Sequence, residues 1–187
     1  MEITPKVMNK FIILLTILVT ACTSQAQKTK GGILNQKAPA ITADKWVSLP
    51  PGSKAPTPES LKGKVVYLYC FQSWCPGCHS SGFPTLQKVS THFKDDEDVA
   101  CITIQTVFEG FHTNTSQKAL KVAKDYNLTG IPVGHSGSKE KRSAIMSEFK
   151  TRGTPWTIII GKDGIVKYNS FHIKPEAAIK LIDTLKK

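Results

Sequence analysis

Val65-Val66-Tyr67-Leu68-Tyr69-Cys70-Phe71-Gln72-Ser73-Trp74-Cys75-Pro76-Gly77-Cys78-His79 runs from an unbroken apolar stretch into two closely spaced cysteines. The first seven residues are β-branched, aromatic or otherwise apolar, without polar alternation, which is the pattern of a strand buried on both faces. Beyond them the period changes: Phe83, Leu86, Val89 and Phe93 recur at helical spacing through residues 76–93. The cysteines therefore stand at a strand-to-helix junction. With Cys75 as the N-cap, Pro76 occupies the first helical position, where its missing N–H costs nothing. Cys78 follows three residues later, on the same helical face and within about 5–6 Å, a separation compatible with a disulfide. Pro84 lies inside the same helix and is expected to kink or interrupt it.

Working outward, Val99-Ala100-Cys101-Ile102-Thr103-Ile104-Gln105-Thr106-Val107 reads as a second buried strand. Residues 116–126 follow as a helix, Ile131-Pro132-Val133 as a short extended piece, and residues 141–149 as a further helix. Trp156-Thr157-Ile158-Ile159-Ile160 and Ile165-Val166-Lys167-Tyr168 flank Gly161-Lys162-Asp163-Gly164, the pattern of a hairpin. An amphipathic helix over 175–185 closes the chain. Upstream, residues 36–64 are punctuated by prolines and offer one short strand around Trp46-Val47-Ser48-Leu49. Strand–helix–strand, then helix, hairpin and helix imply an α/β fold: a mixed sheet with helices on both faces. The first crossovers are expected to be parallel and right-handed.

The chain has 187 residues, 40% of them hydrophobic and 21% charged, which suits one globular domain preceded by a leader. Its formal charge is +11, from 25 Lys and Arg against 14 Asp and Glu. The lysines are scattered, and no groove-reading motif or interleaving of aromatic and basic residues points to nucleic acid. Lys6 and Lys10 precede an apolar run, Phe11-Ile12-Ile13-Leu14-Leu15-Thr16-Ile17-Leu18-Val19, shorter than the roughly 20 residues of a spanning helix. Thr20-Ala21-Cys22 follows, and then a small-residue polar segment suited to a tether. Of five cysteines, Cys22 belongs to the leader, and Cys70 and Cys101 lie in apolar strand runs where cysteine behaves as a small hydrophobe. That leaves Cys75 and Cys78 for chemistry. Free N–H groups and the positive end of the helix dipole favour negative charge on the Cys75 sulfur. Cys75 is thus the expected nucleophile and Cys78, deeper in the helix, the resolving thiol of a redox-active disulfide.

Three features resemble known families. Val19-Thr20-Ala21-Cys22 is similar to the lipobox of bacterial lipoproteins, which implies a signal peptide over 1–22, lipid attachment at Cys22, a flexible tether over 23–35 and a domain over 36–187. The implied location is the bacterial cell envelope, with the domain outside the cytoplasm. Arg152-Gly153-Thr154-Pro155-Trp156, running into a strand, resembles the cis-proline loop of thioredoxins. Such a loop implies a cis Thr154–Pro155 bond and a substrate-binding surface made by Trp74, Thr154 and Pro155. Together with Leu61-Lys62-Gly63-Lys64-Val65-Val66, Trp74-Cys75-Pro76-Gly77-Cys78, Tyr126-Asn127-Leu128 and Lys162-Asp163-Gly164, these residues resemble the thioredoxin superfamily, and within it the membrane-tethered TlpA and ResA type. The resemblance spans residues 36–185. It implies a thioredoxin-like sheet with an N-terminal strand extension and a helix–strand insertion supplied by 108–134. It also implies thiol–disulfide exchange without a cofactor or metal, exported disulfide proteins as partners, and a membrane thiol electron donor. Reduction of partners is the favoured direction. Two positions depart from the pattern. Tyr69 stands where thioredoxins carry a buried aspartate, and Ser81 where ResA-like proteins often carry a glutamate, leaving water, His79 or Glu109 as proton acceptors for Cys78.

Other chemistries fit parts of the sequence. Cys75-Pro76-Gly77-Cys78-His79 also satisfies the attachment motif of a c-type haem, with His79 as proximal ligand. A thiol peroxidase of the peroxiredoxin-like class would use Cys75 alone, although Leu68 and Gln72 stand where that family resembles P-x-x-x-T-x-x-C. Copper delivery of the Sco-like kind needs one more residue between the cysteines, with His135 or His172 as the distant ligand. The histidines show no zinc spacing with the cysteines.

Overall fold

The computed structural model describes residues 32–187. Six strands form one sheet: β1 (Lys45–Ser48), β2 (Val65–Phe71), β3 (Val99–Thr106), β4 (Val133–Ser136), β5 (Trp156–Ile160) and β6 (Val166–Phe171), in the order β1-β4-β3-β2-β5-β6. The β2–β3 and β3–β4 pairs are parallel, and the β2–β5, β5–β6 and β1–β4 pairs are antiparallel. All residues of β2 are buried, as its unbroken apolar run requires of a central strand with both faces covered.

The side chains of β2 alternate between two cores. Tyr67, Tyr69 and Phe71 point to one face, where they meet Leu86 and Val89 of α2 (Phe83–His92), Ala119 and Val122 of α3 (Ser116–Asp125), and Ala178 and Ile182 of α5 (Pro175–Lys186). Val66, Leu68 and Cys70 point to the other, where Ile145 of α4 (Ala144–Glu148), Phe149 and the N-terminal residues Ile33 and Ile41 cover them. The short helix α1 (Pro58–Leu61) opens on a capping box between Thr57 and Ser60. The mixed sheet with helices on both faces is the thioredoxin-like fold read from the sequence. The expected insertion is α3 and β4.

Three expectations are revised and one, the interruption at Pro84, is made specific. The chain packs before residue 36: Ile33 is buried in the second core, and the Gly32 N–H donates to the Lys150 carbonyl at 3.0 Å, so residues assigned to the end of the tether belong to the folded part. The helix over 76–93 is interrupted by a π-helical turn, Cys78–Gly82, closed by the Phe83 N–H on the Cys78 carbonyl. Pro84 accounts for it: its ring cannot sit against the carbonyl four residues back, and one extra residue in the preceding turn relieves the clash. The helix over 141–149 shrinks to α4, because the Ser143 hydroxyl caps it by accepting from Met146 N–H, and Ser138 and Lys141 close a separate turn. Cys101 retains partial exposure instead of full burial. The leader and its Cys22 lie outside the described residues.

Candidate active site

The C-terminal end of β2 and the following helix place the two cysteines as the sequence spacing requires. Both are free thiols, Cys78 fully buried and Cys75 7% exposed. The Cys78 N–H donates to the Cys75 Sγ at 3.2 Å, and the Cys75 carbonyl accepts from Cys78 N–H at 3.1 Å and His79 N–H at 3.3 Å. The Cys75 sulfur therefore occupies the position of an N-cap oxygen, where helix N–H dipoles favour an anion. Burial, and after it the hydrogen bond with Cys75, pushes the Cys78 thiol up to about 12, against smaller opposing contributions from the Gln72 backbone and the Tyr69 phenol. One sulfur thus faces helix donors and the other is kept protonated until a partner engages.

Tyr69 takes over the neighbourhood of Cys78. Its ring is buried and packs edge-on against Phe83 at 5.3 Å, and its hydroxyl donates to the Cys78 carbonyl at 3.4 Å. Burial holds its phenol well above the ordinary range, so it acts as a hydrogen-bond donor and not as a base. The phenol occupies the space a side chain at position 82 would need: a Cβ added at Gly82 would stand 1.9 Å from the oxygen. Of the acceptors left open by the sequence, His79 has both ring nitrogens engaged. The His79 Nε2–H donates to the Ser73 carbonyl at 2.8 Å, and its Nδ1 accepts from the Tyr126 hydroxyl at 2.8 Å. Glu109 is exposed and offers its backbone carbonyl to Gln72 and Asn114. The same engagement of both His79 nitrogens leaves none for an axial iron bond, so the haem arrangement does not fit these residues.

Around the pair, the predicted contact residues come together. Trp74 is 50% exposed beside the cysteines, with its indole N–H 3.4 Å from where a Gly110 Cβ would lie. The Thr154–Pro155 bond is cis, and a Gly77 Cβ would meet the Pro155 Cδ at 3.3 Å, so the proline loop lies directly over the turn between the cysteines. Trp156 is core: it is 2% exposed and its indole N–H donates to Asn169 Oδ1 at 2.6 Å. Cys70 is fully buried and Cys101 partly so. Burial pushes both thiols up, that of Cys101 to about 12.

Sequence reasoning missed a polar network that fixes the loop before Cys75. Ser73 N–H donates to Asn114 Oδ1 at 2.8 Å and to Gln105 Oε1 at 3.2 Å, and the Ser73 hydroxyl also donates to Gln105 Oε1. The Gln105 amide in turn donates to the Thr115 carbonyl at 3.0 Å and to His135 Nδ1 at 2.9 Å. Burial, above all, lowers the His135 pKa and keeps the ring a neutral acceptor. The signal was present: Gln72 and Gln105 are amides at the ends of otherwise apolar strands, and buried amides demand partners.

A family model described as Redoxin matches residues 34–183. A crystallised thioredoxin-like superfamily protein is 29% identical, with TM-score 0.71 over 80% of this chain and 96% of its own. A thiol-disulfide isomerase from Corynebacterium glutamicum is 24% identical, with TM-score 0.68 over 80% of this chain and 97% of its own, a likeness of fold. A thiol:disulfide interchange protein of the thioredoxin family from Chlorobium tepidum shares the fold at 17% identity and TM-score 0.59, over 83% of this chain and 99% of its own. No curated protein matches the sequence.

Proposed function

Since the chain belongs to the redoxin family and is a thiol–disulfide oxidoreductase of the thioredoxin superfamily, we propose that Cys75 and Cys78 exchange disulfides with exported proteins, in the reducing direction, from a lipid anchor at Cys22 in the bacterial cell envelope. The observation that carries the exchange is the pairing of an N-capping sulfur with a buried, protonated one, under a proline loop. The Cys75 thiolate attacks one sulfur of a partner disulfide. A bond forms between Cys75 and that sulfur, and the partner's other sulfur leaves as a thiolate that takes up a proton. Cys78 then loses its proton and attacks the Cys75 sulfur, which closes the internal disulfide and releases the second partner thiol. Two electrons and two protons pass to the partner. A membrane dithiol donor restores the pair by the reverse exchange.

Exposed Trp74 and the edge of the 153–155 backbone supply an apolar contact and main-chain groups for an extended partner chain. The location rests on the leader sequence and the direction on the resemblance to tethered reductases. A redox titration of the protein in defined thiol buffers, with thiol trapping and mass spectrometry, tests both the pair and the direction. Dithiol proteins span about −270 to −120 mV, or roughly 7 kcal/mol for two electrons. Titration of Cys75 with Cys78 near the low end is the expected result. A potential near the high end would make the protein an oxidant of its partners and overturn the direction.

A further inference from the structure

Beside the cysteine turn lies a cavity of about 530 Å³ that the exchange chemistry does not use. Two of its walls are already tied to the active site. One is Phe108 and Phe111, on the loop whose Glu109 carbonyl holds Gln72 and whose Gly110 lies against the Trp74 indole. The other is Thr151 and Arg152, which lead into the proline loop over Gly77. Lys139 and Arg142 complete the rim, so the lining carries three cations and no carboxylate. None of the three is ion-paired among the described residues, and the neighbouring Glu140 accepts instead from the Ser138 hydroxyl at 2.9 Å. Thr151 is 4% exposed and its hydroxyl lacks a partner among the described residues.

We propose that this cavity is a specificity site for an acidic segment of the target protein, one that places an Asp or Glu beside an apolar side chain close in sequence to the cysteine under attack. The inference rests on the exchange reading given above. Arg152 precedes the cis Pro155 by three residues, so a partner strand laid along the 153–155 backbone brings a nearby carboxylate toward the arginine. Arg142 and Arg152 offer the planar donor forks that fit a carboxylate. Phe108 and Phe111 take the apolar neighbour. A free inorganic anion would use the cations and leave the aromatic wall idle. The three unpaired cations of the rim draw an acidic partner toward this face.

Two synthetic peptides, each closed by one disulfide and differing only by Glu or Gln three residues from the first cysteine, test the site on the reduced protein. The Glu peptide is expected to be reduced with kcat/KM about fivefold higher at low salt, and the ratio to fall toward one as salt screens the contact. Arg142→Gln with Arg152→Gln should abolish the ratio, whereas Lys118→Gln with Lys180→Gln, an equal charge loss elsewhere, should keep it. Equal reduction of both peptides by the parent would overturn the acidic site and leave the exchange reading standing. So would a ratio that survives loss of both arginines. Reduction of neither peptide would sink the exchange reading. The cavity is then judged by anisotropy of the fluorescein-labelled peptides, where equal Kd values for Glu and Gln overturn it.

Discussion

Adding one methyl group at Gly82 is expected to destabilise this domain, against the usual trend for that substitution in a helix. The backbone there has φ −65° and ψ −54°, which alanine adopts freely, so helix propensity alone predicts a gain of about 1 kcal/mol. The surroundings predict the opposite. A Cβ at position 82 would lie 1.9 Å from the Tyr69 oxygen, 2.5 Å from Cζ and 2.9 Å from Cε2, and that ring is locked between Phe71 and Phe83. Displacing it costs about 1–3 kcal/mol as overpacking. Pulling its hydroxyl off the Cys78 carbonyl leaves a buried donor unpaired, which costs about another 1–3 kcal/mol. The carbonyl keeps the Phe83 N–H, so the loss stops there. Set against the propensity gain, the net is a loss of about 1–5 kcal/mol. For a domain of this size that lowers Tm by about 2–20 °C. Thermal and urea melts of reduced protein read it directly. In a Tyr69→Phe background the nearest overlap disappears while the ring carbons remain, so Gly82→Ala should cost less than in the parent, a coupling a double-mutant cycle measures. A Gly82→Ala protein as stable as the parent, or an unchanged loss in the Tyr69→Phe background, would refute the account of Tyr69 packing against Gly82.

Further outcomes follow from the same geometry. Tyr69→Phe alone removes the donor that eases ionisation of Cys78, so the Cys78 pKa should rise further and the mixed disulfide on Cys75 should persist several-fold longer at neutral pH, as rapid-quench trapping would record. His135 has a folded pKa below its ordinary 6.5, first through burial, with Asp44 opposing and Lys45 adding to the shift, so the unfolded chain binds more protons just below that value. Stability should fall as pH drops from about 6.5 through the folded pKa, and urea midpoints for His135→Gln should fall less steeply over the same range. Cys70→Ala and Cys101→Ala should leave the number of thiols that titrate together at two and the rate of disulfide exchange unchanged, which mass spectrometry after trapping and a peptide reduction assay would show.

How much was legible depended on how local the determining physics is. The buried strand β2, the N-cap position of Cys75 and the β5–β6 hairpin follow from runs of a few residues, and the structure places them as read. In the hairpin, the loop's Asp163 accepts from Ile165 N–H at 3.0 Å and Gly164 takes φ +73°, the left-handed conformation a glycine there allows. The π-helical turn is closed by the Phe83 N–H on the Cys78 carbonyl and sets Gly82 against a tyrosine on another element, so Pro84 announced an irregularity without its form. The Ser73–Gln105–Asn114 network joins positions 32 and 41 residues apart in sequence, a pairing that periodicity cannot express. Residues 32–35 read as tether because small and polar residues surround them, but the apolar Ile33 finds a core to fill. Tyr69 was recognised as a departure from the expected carboxylate. That it would become the nearest hydroxyl to Cys78 needed the fold.

The central claim is that Cys75 forms the covalent link to a partner and Cys78 releases it. Mixing the Cys78→Ser protein with a peptide disulfide and then separating the products without reductant tests that claim most directly. The account predicts a stable one-to-one adduct in which mass spectrometry finds the peptide on Cys75, whereas the parent releases its peptide and retains the internal disulfide. No adduct, or one carried by Cys70 or Cys101, would contradict it.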